Sequence, residues 1–248
     1  MIYIKSAREI ALLREAGRIV ALAHEAIAQA IAPGVTTLQL DAIAERIIRQ
    51  HGARPAFKGY NGFPGSICAS VNDEVVHGIP SKRALKEGDI ISVDIGSELN
   101  GYYGDAARTH AVGQVDAAGG QLIEVTEQCF YKALDQCYVG NRLSNIGHAV
   151  QTHAESFGYG VVRDLTGHGV GRALHEDPEV RNYGLPNKGP RLQAGMVIAI
   201  EPMINLGTYR VVTLADGWTV VSEDGSLSSH YEHTVAITDD GPLLLTIP

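Results

Sequence analysis

The run L-K-E-G-D-I-I-S-V-D (Leu85–Asp94) has a counterpart later in the chain, L-Q-A-G-M-V-I-A-I-E (Leu192–Glu201). The two runs lie 107 residues apart, and their leucine, glycine, apolar residues and final acidic residue coincide. A short apolar run that follows a glycine is typical of a buried strand. The pair therefore indicates two strands at equivalent positions of an internal repeat.

Capping boxes and a turn signal predict the elements of the first half. The box at Ser6–Glu9 predicts a helix to about Ile31, and that at Thr36–Gln39 predicts a helix that ends near Gly52. The chain from there to about Ala84 is expected to be irregular. The strand predicted at 90–96 is followed by Asn100-Gly101, a strong hairpin signal, and by a partner strand at 102–112.

The second half repeats this order of elements. Helices are predicted at 121–137 and 144–157, and a strand at 196–201. The glycines that end the helices recur 106 residues apart, as Gly34 with Gly140 and Gly52 with Gly158. We predict an α/β (α+β) fold with a central antiparallel sheet and outer helices, built as a pseudo-twofold repeat of two helix-helix-β-hairpin halves. No linker separates the halves, about 1–115 and 116–248, so one domain is expected over 1–248.

Composition excludes several classes of protein. A formal net charge of −8 argues against binding nucleic acid through its phosphates. The cysteines Cys68, Cys129 and Cys137 form no C-x-x-C pair, so neither a disulfide framework nor a zinc finger is indicated. The sequence has no signal-peptide pattern, and no apolar run approaches the roughly 18 residues of a membrane span. We expect a cytoplasmic protein with no membrane or specific nucleic-acid partner.

Acidic residues end both repeated strands, where core residues are expected. A single strand acid is usually explained by exposure to solvent or by a basic partner. Asp94 and Glu201, however, are equivalents that a twofold would bring face to face, and Asp105 lies across the hairpin from Asp94. In a two-residue hairpin Asp94 and Asp105 are diagonal, and a bulge near Gly104 could bring them onto one face. Such carboxylates repel one another unless cations lie between them.

Two further residues complete a candidate metal site. Glu232 supplies a fourth acid, and His168, between two glycines, supplies an imidazole. Four carboxylates carry four negative charges, which two divalent cations would neutralise. Ligands that are mostly oxygen, with one imidazole, suit Mn²⁺, Fe²⁺ or Co²⁺, with Zn²⁺ also acceptable and Mg²⁺ less so. Two such ions about 3.5–4 Å apart form the two-metal hydrolase arrangement.

Five residues of this chain resemble the five metal ligands of methionine aminopeptidases: Asp94, Asp105, His168, Glu201 and Glu232. Enzymes of that family have the pita-bread fold. The motifs V-N-D-E-V-V-H-G-I-P, G-H-G-V-G-R, I-E-P and Y-E-H-T agree, and the resemblance covers essentially the whole chain. The N-terminal domain of the wider family, the type 2 insertion and the zinc-finger extension of eukaryotic type 1 enzymes have no counterpart here. The resemblance therefore implies a short, bacterial-style type 1 enzyme.

The resemblance implies a role for each ligand. Asp94 would chelate one ion, His168 would bind the other, and Asp105 and Glu232 would bridge both. A hydroxide that bridges the ions would attack the peptide. Glu201 would ligate and would also carry the proton from the nucleophilic water to the departing amine.

The resemblance also implies residues that contact the substrate. His77 would hydrogen-bond near the first peptide nitrogen, and His175 would stabilise the tetrahedral oxyanion. The pocket for the methionine side chain would be lined by Tyr60, Phe63, Cys68 and Trp218. Thioethers pack favourably against aromatic edges. The implied substrates are N-termini of nascent polypeptides with a small second residue, encountered near the ribosome by a monomeric enzyme.

Two pocket positions depart from the bacterial relatives. Phe57 stands where they often have cysteine, and Leu174 where they often have an aromatic residue. A narrower or differently shaped methionine pocket is expected, which affects the substrate range.

Other readings of the sequence have weaker support. G-H-G-V-G lacks the spacing of a nucleotide-binding loop, and the H-E-x-x-H zinc motif fails because position 179 is glutamate. Two alternatives remain open, an Xaa-Pro aminopeptidase or dipeptidase of the same fold and a non-catalytic binding protein built on it.

Overall fold

A computed structural model describes residues 1–248. Its four α-helices are α1 (Ala7–Ala30), α2 (Thr37–Gln50), α3 (Ala117–Leu134) and α4 (Ser144–Ser156). Its strands are β1 (Arg54–Pro55), β2 (Ile67–Val71), β3 (Glu74–Val76), β4 (Ile90–Leu99), β5 (Tyr102–Ala111), β6 (Gly160–Val161), β7 (Gly167–Gly169), β8 (Glu176–Val180), β9 (Val197–Ile200), β10 (Met203–Asn205), β11 (Val211–Thr213), β12 (Val220–Ser222), β13 (Ser228–His230), β14 (His233–Thr238) and β15 (Gly241–Leu244). None of the helices is long and apolar enough to span a membrane.

All strand pairings are antiparallel. The first half contributes β1, β4 and β2 in that order, with β5 on β4, and the second half contributes β15-β14-β9-β7-β8. Two smaller sheets, β13-β10-β6 and β11-β12-β3, lie beside them. The arms of the second hairpin are β9 and β14, which pair although β10–β13 lie between them in sequence. The predicted antiparallel α/β repeat is therefore confirmed, with a long insertion in its second hairpin.

Helices cover the outer side of each half. In the first half Val20 of α1 and Leu40 of α2 pack with Val93 of β4 in one buried cluster. In the second half Phe130 of α3 belongs to a buried cluster with Ile198 of β9. Burial of these apolar side chains is the main force that holds helices onto sheets.

Both capping boxes of the first half are present. Ser6 and Thr36 each accept a hydrogen bond from the backbone N–H three residues on, and the Glu9 and Gln39 side chains return to the cap. The predicted start of α3 was four residues late. Asp116 caps that helix by accepting from the Gly119 N–H at 2.7 Å, so the helix includes two glycines that have low intrinsic helix propensity.

The β4–β5 hairpin corrects the prediction of a bulge. Its register is unbroken, with Asp94 opposite Ala107 and Gly96 opposite Asp105. Asp94 and Asp105 are therefore diagonal neighbours on one face of the sheet without an extra residue. Glycine is needed at position 104 for a different reason, because a Cβ there would lie 2.5 Å from the Gly17 nitrogen of α1.

The stretch predicted to be irregular contains strands. Ile67–Val71 forms β2 and pairs with β4, and Glu74–Val76 forms β3. All five residues of β2 are buried, so the strand lacks the alternation of polar and apolar residues that marks a strand with one solvent face.

Candidate metal centre

The predicted ligands meet at a cavity of about 270 Å³. Asp94 lies in β4, Asp105 in β5 and His168 in the middle of β7. Glu201 directly follows β9, and Glu232 directly precedes β14. Both halves of the chain therefore supply acidic side chains to one cavity.

Close packing around β7 explains the sequence G-H-G. A Cβ at Gly167 would lie 2.4 Å from the Ala199 carbonyl oxygen, and one at Gly169 would lie 2.2 Å from that of Asp177. The ring of His168 donates from Nδ1 to the Gly169 carbonyl at 2.8 Å. That hydrogen bond leaves Nε2 with its lone pair directed at the acids, the state that binds metals.

The ring of His168 lies close to two carboxylates. Its Nε2 is 3.7 Å from Asp105 Oδ2 and 3.6 Å from Glu201 Oε1. Burial lowers the pKa of His168 to about 4, so the imidazole is neutral at pH 7. A neutral imidazole offers little to balance the charge of these acids.

Burial also disfavours the charged form of the acids. It raises the pKa of Asp94 to about 7. The pKa values of Asp105, Glu201 and Glu232 lie well above their usual range, first because of burial and then because of neighbouring carboxylates. With no cation nearby, the cluster would hold protons at neutral pH.

Several carboxylate oxygens of the cluster have no hydrogen-bond partner. Asp94 Oδ1, Asp105 Oδ1 and Glu232 Oε1 are buried without a hydrogen bond. The only basic groups within 4.0 Å of the Asp105, Glu201 and Glu232 carboxylates are histidines. Ligand atoms of Asp105, His168 and Glu232 all lie within 4.8 Å of one another. The unpartnered oxygens and this spacing fit divalent cations.

The two other predicted histidines flank this cluster. His77 has a φ of +59°, a conformation that is uncommon outside glycine and often marks a functional site. Burial lowers the pKa of His77, so its ring is neutral. His175 lies at the cavity rim, with its ring centroid 4.2 Å from that of His168 and its Nδ1 2.8 Å from the Tyr60 hydroxyl.

An apolar pocket opens beside the cluster. Phe57, Phe63, Cys68 and Leu174 form a buried group with Trp218 packed against it. The rings of Phe63 and Trp218 meet edge to face at 5.1 Å. Burial raises the pKa of the Cys68 thiol, so it stays protonated and adds no thiolate ligand. The structure therefore places Phe63, Cys68 and Trp218 in one pocket, with Tyr60 at its mouth.

Two residues of the site were missed in the sequence. Asn61 lines the cavity beside Tyr60. His230 is buried, with its Nε2 3.6 Å from Glu201 Oε2 and 3.9 Å from Glu232 Oε2. The sequence feature that could have identified His230 is its position two residues before Glu232, which places both side chains on one face of an extended segment.

Comparisons with known proteins agree over the whole length. A model of metallopeptidase family M24 matches residues 11–239. Methionine aminopeptidase 1 of Bacillus subtilis is 58% identical over 246 residues, which is 99% of each chain. Methionine aminopeptidase of Clostridium acetobutylicum is 56% identical over 248 residues, 100% of this chain and 99% of the relative. The crystal structure of methionine aminopeptidase from Thermotoga maritima superposes with a TM-score of 0.99, at 46% identity and with full coverage of both chains.

Proposed function

This chain belongs to metallopeptidase family M24, and we propose that it removes the N-terminal methionine of newly made proteins by metal-dependent hydrolysis. The observation that carries this function is the cluster of four carboxylates, three of which have a buried oxygen without a hydrogen bond, beside an apolar pocket. The full-length similarity to methionine aminopeptidases supports the same activity. The chain is thus a metal-dependent aminopeptidase.

We propose that five side chains hold two divalent ions. Asp94 would bind one ion and His168 the other, and Asp105 and Glu232 would bind both, with Glu201 as the fifth ligand. The donors suit Co²⁺, Mn²⁺, Fe²⁺ or Zn²⁺. When bound, such a pair supplies Lewis acidity, which activates water and polarises the scissile carbonyl.

Glu201 is suited to move the proton. Its side chain is 13% exposed, compared with 5% for Asp105 and 2% for Glu232, so among these three it is the most accessible from the cavity. A carboxylate there can accept the proton of the attacking water and deliver it to the departing amine. Asp105 and Glu232 are more deeply buried, which suits a purely ligating role.

The two flanking histidines would act on the substrate. His175 is held by the Tyr60 hydroxyl at the rim, where it can donate a hydrogen bond to the developing oxyanion. His77 faces the same cavity from beside Trp218, their ring centroids being 6.4 Å apart. From there it can hydrogen-bond near the first peptide nitrogen.

The pocket accounts for the choice of methionine. Phe63, Cys68 and Trp218 offer apolar and aromatic contacts to a flexible thioether. Phe57 and Leu174 fill the same cluster, so the pocket is tightly lined on that side. We propose that a small residue is preferred at the second position of the substrate.

We propose that residues 1–248 form one catalytic domain, because both halves supply ligands, and that the enzyme is a monomer. All three cysteines are free, which suits a reducing cytoplasm where nascent chains leave the ribosome.

Peptide kinetics test this function. With added Co²⁺ or Mn²⁺, we expect methionine release from Met-Ala-Ser and no release of the first residue from Ala-Pro-Ser. Cleavage of Ala-Pro-Ser but not of Met-Ala-Ser would indicate an Xaa-Pro peptidase. Metal-loaded protein that binds Met-Ala-Ser without cleaving it would indicate a binding protein.

A further inference from the structure

His230 is a buried imidazole at the metal centre that the five-ligand set leaves without a role. Its residue is 1% exposed, and its Nε2 has no hydrogen-bond partner. The nearest carboxylate oxygens, Glu201 Oε2 at 3.6 Å and Glu232 Oε2 at 3.9 Å, are too distant for a hydrogen bond. A buried ring nitrogen without a partner is unfavourable, so this atom calls for a ligand.

The distances around His230 are those of ligands that share an ion. Ligand atoms about 2.1 Å from a metal lie about 3.0 Å apart at a right angle and about 4.2 Å apart on opposite sides. Both distances from His230 to carboxylate oxygens fall in that range. His168, the predicted imidazole ligand, has nearly the same distances to its own carboxylates, 3.7 and 3.6 Å.

The backbone holds His230 in place from two sides. It pairs with Met203 of β10, and its N–H donates to the Thr109 hydroxyl at 2.9 Å. The same hydroxyl donates to the His230 carbonyl at 2.9 Å. The side chain itself is only 2% exposed, so the packing around it restricts the orientation of the ring as well.

We propose that His230 is a ligand in its own right, which completes a second group of donors with Glu201 and Glu232. The atoms of this group lie within 4.8 Å of one another, as do those of Asp105, His168 and Glu232. The two groups share Glu232, so the pair of ions would have two imidazoles in all. The inference rests on the proposed function, because it assumes two divalent ions in the cavity.

A second imidazole changes which metals the site favours. Imidazole suits Zn²⁺ and Fe²⁺, whereas carboxylate and water suit Mn²⁺ and Mg²⁺. A centre with two imidazoles should therefore discriminate more strongly against Mn²⁺ than a centre with one. The substitution His230→Gln should reduce that discrimination.

Cobalt binding tests the proposal without reference to activity. Co²⁺ is titrated into metal-free wild-type protein, His230→Ala and the distant control His153→Ala, and the affinities are measured by calorimetry. We expect two ions per chain in all three, with one of them bound at least tenfold more weakly in His230→Ala alone. X-ray absorption should show about one imidazole per cobalt in the wild type and about one per two cobalts in the variant.

Each outcome decides between the inferences. Unchanged affinity and unchanged imidazole content in His230→Ala overturn the role of His230 and leave the proposed function intact. A wild-type protein that binds no cobalt overturns the proposed function itself. If His230→Ala does not fold, His168→Ala decides: imidazole that remains on cobalt supports His230 as a ligand, and its complete loss refutes it.

Discussion

Ala107 and Glu232 exchange both backbone hydrogen bonds, Ala107 N–H to the Glu232 carbonyl at 3.3 Å and the reverse at 2.8 Å. The pair joins the sheets of the two halves. Val93 pairs with Arg108 in one hairpin and Ile200 with His233 in the other, which makes Ala107 and Glu232 equivalent positions. A local twofold axis therefore lies between them.

The pairing of Ala107 with Glu232 places residues of the site in one row across the joined sheets. Cys68 pairs with Asp94, Asp94 with Ala107, and Ala107 with Glu232. One step beyond the last registered pair of β9 and β14, Glu232 faces Glu201. Residues opposite one another in antiparallel strands share a face. Acids from both halves thus line one face, with the small side chain of Ala107 between them.

Loss of a bridging carboxylate should remove both metal and activity. We expect Asp105→Asn and Glu232→Gln to abolish detectable turnover and to weaken metal binding at least about 100-fold, since each group is proposed to contact both ions. His77→Ala should lower activity and keep both metals. Metal analysis after dialysis checks this, and loss of metal from His77→Ala to the same extent would refute the assigned roles.

Metal-free protein should respond to pH through Asp94. Its folded-state pKa of about 7 lies above the unfolded value, so the wild type binds more protons when folded and loses stability as pH rises from about 4 through 7. Asp94→Asn removes this group. In chelator-treated samples, the Tm of the variant should exceed that of the wild type increasingly from pH 5 to pH 8.

With saturating metal, the order should reverse at pH 8, because the charged Asp94 then has a cation partner. A variant that is less stable than the wild type in both conditions would contradict the electrostatic account.

The size of Ala107 should matter for metal binding. Its side chain shares a face with Asp94 and Glu232, so Ala107→Leu should crowd the space between the acids and weaken metal affinity by tenfold or more. Ala107→Gly keeps that space and serves as the matched control. Calorimetric titration with Co²⁺ compares the two, and equal affinities would show that the ions lie elsewhere.

Phe57 should control the shape of the methionine pocket. A Cβ at Gly96 would lie 2.6 Å from the Phe57 ring, so the ring packs directly against β4. Phe57→Ala should lower stability by about 3 kcal/mol and raise KM for Met-Ala-Ser several-fold, with a smaller change in kcat. The exposed Phe157→Ala is the control. An unchanged KM would exclude Phe57 from the pocket.

Much of the fold could be predicted because its signals are local. The capping boxes, the Asn100-Gly101 turn and the apolar run of β4 each depend on a few neighbouring residues. Strand β2 could not be predicted so easily. Its sequence I-C-A-S-V is buried on both faces, and its pairing with β4 is a contact distant in sequence.

The site was predicted from acids in apolar surroundings and from motifs of the resembling family. His230 was missed because its two neighbours at the centre come from different parts of the chain. Glu232 is two residues away, but Glu201 is reached only when β13 pairs with β10. The prediction of a bulge near Gly104 was wrong because that glycine is required by the close approach of α1, which no local sequence pattern reveals.

The most direct test is a titration of metal-free protein with Co²⁺ that records bound ions and methionine released from Met-Ala-Ser in the same samples. We expect no release of methionine without metal, activity that rises with metal occupancy, and two bound ions per chain at saturation. Full activity in protein shown to contain no metal would contradict it.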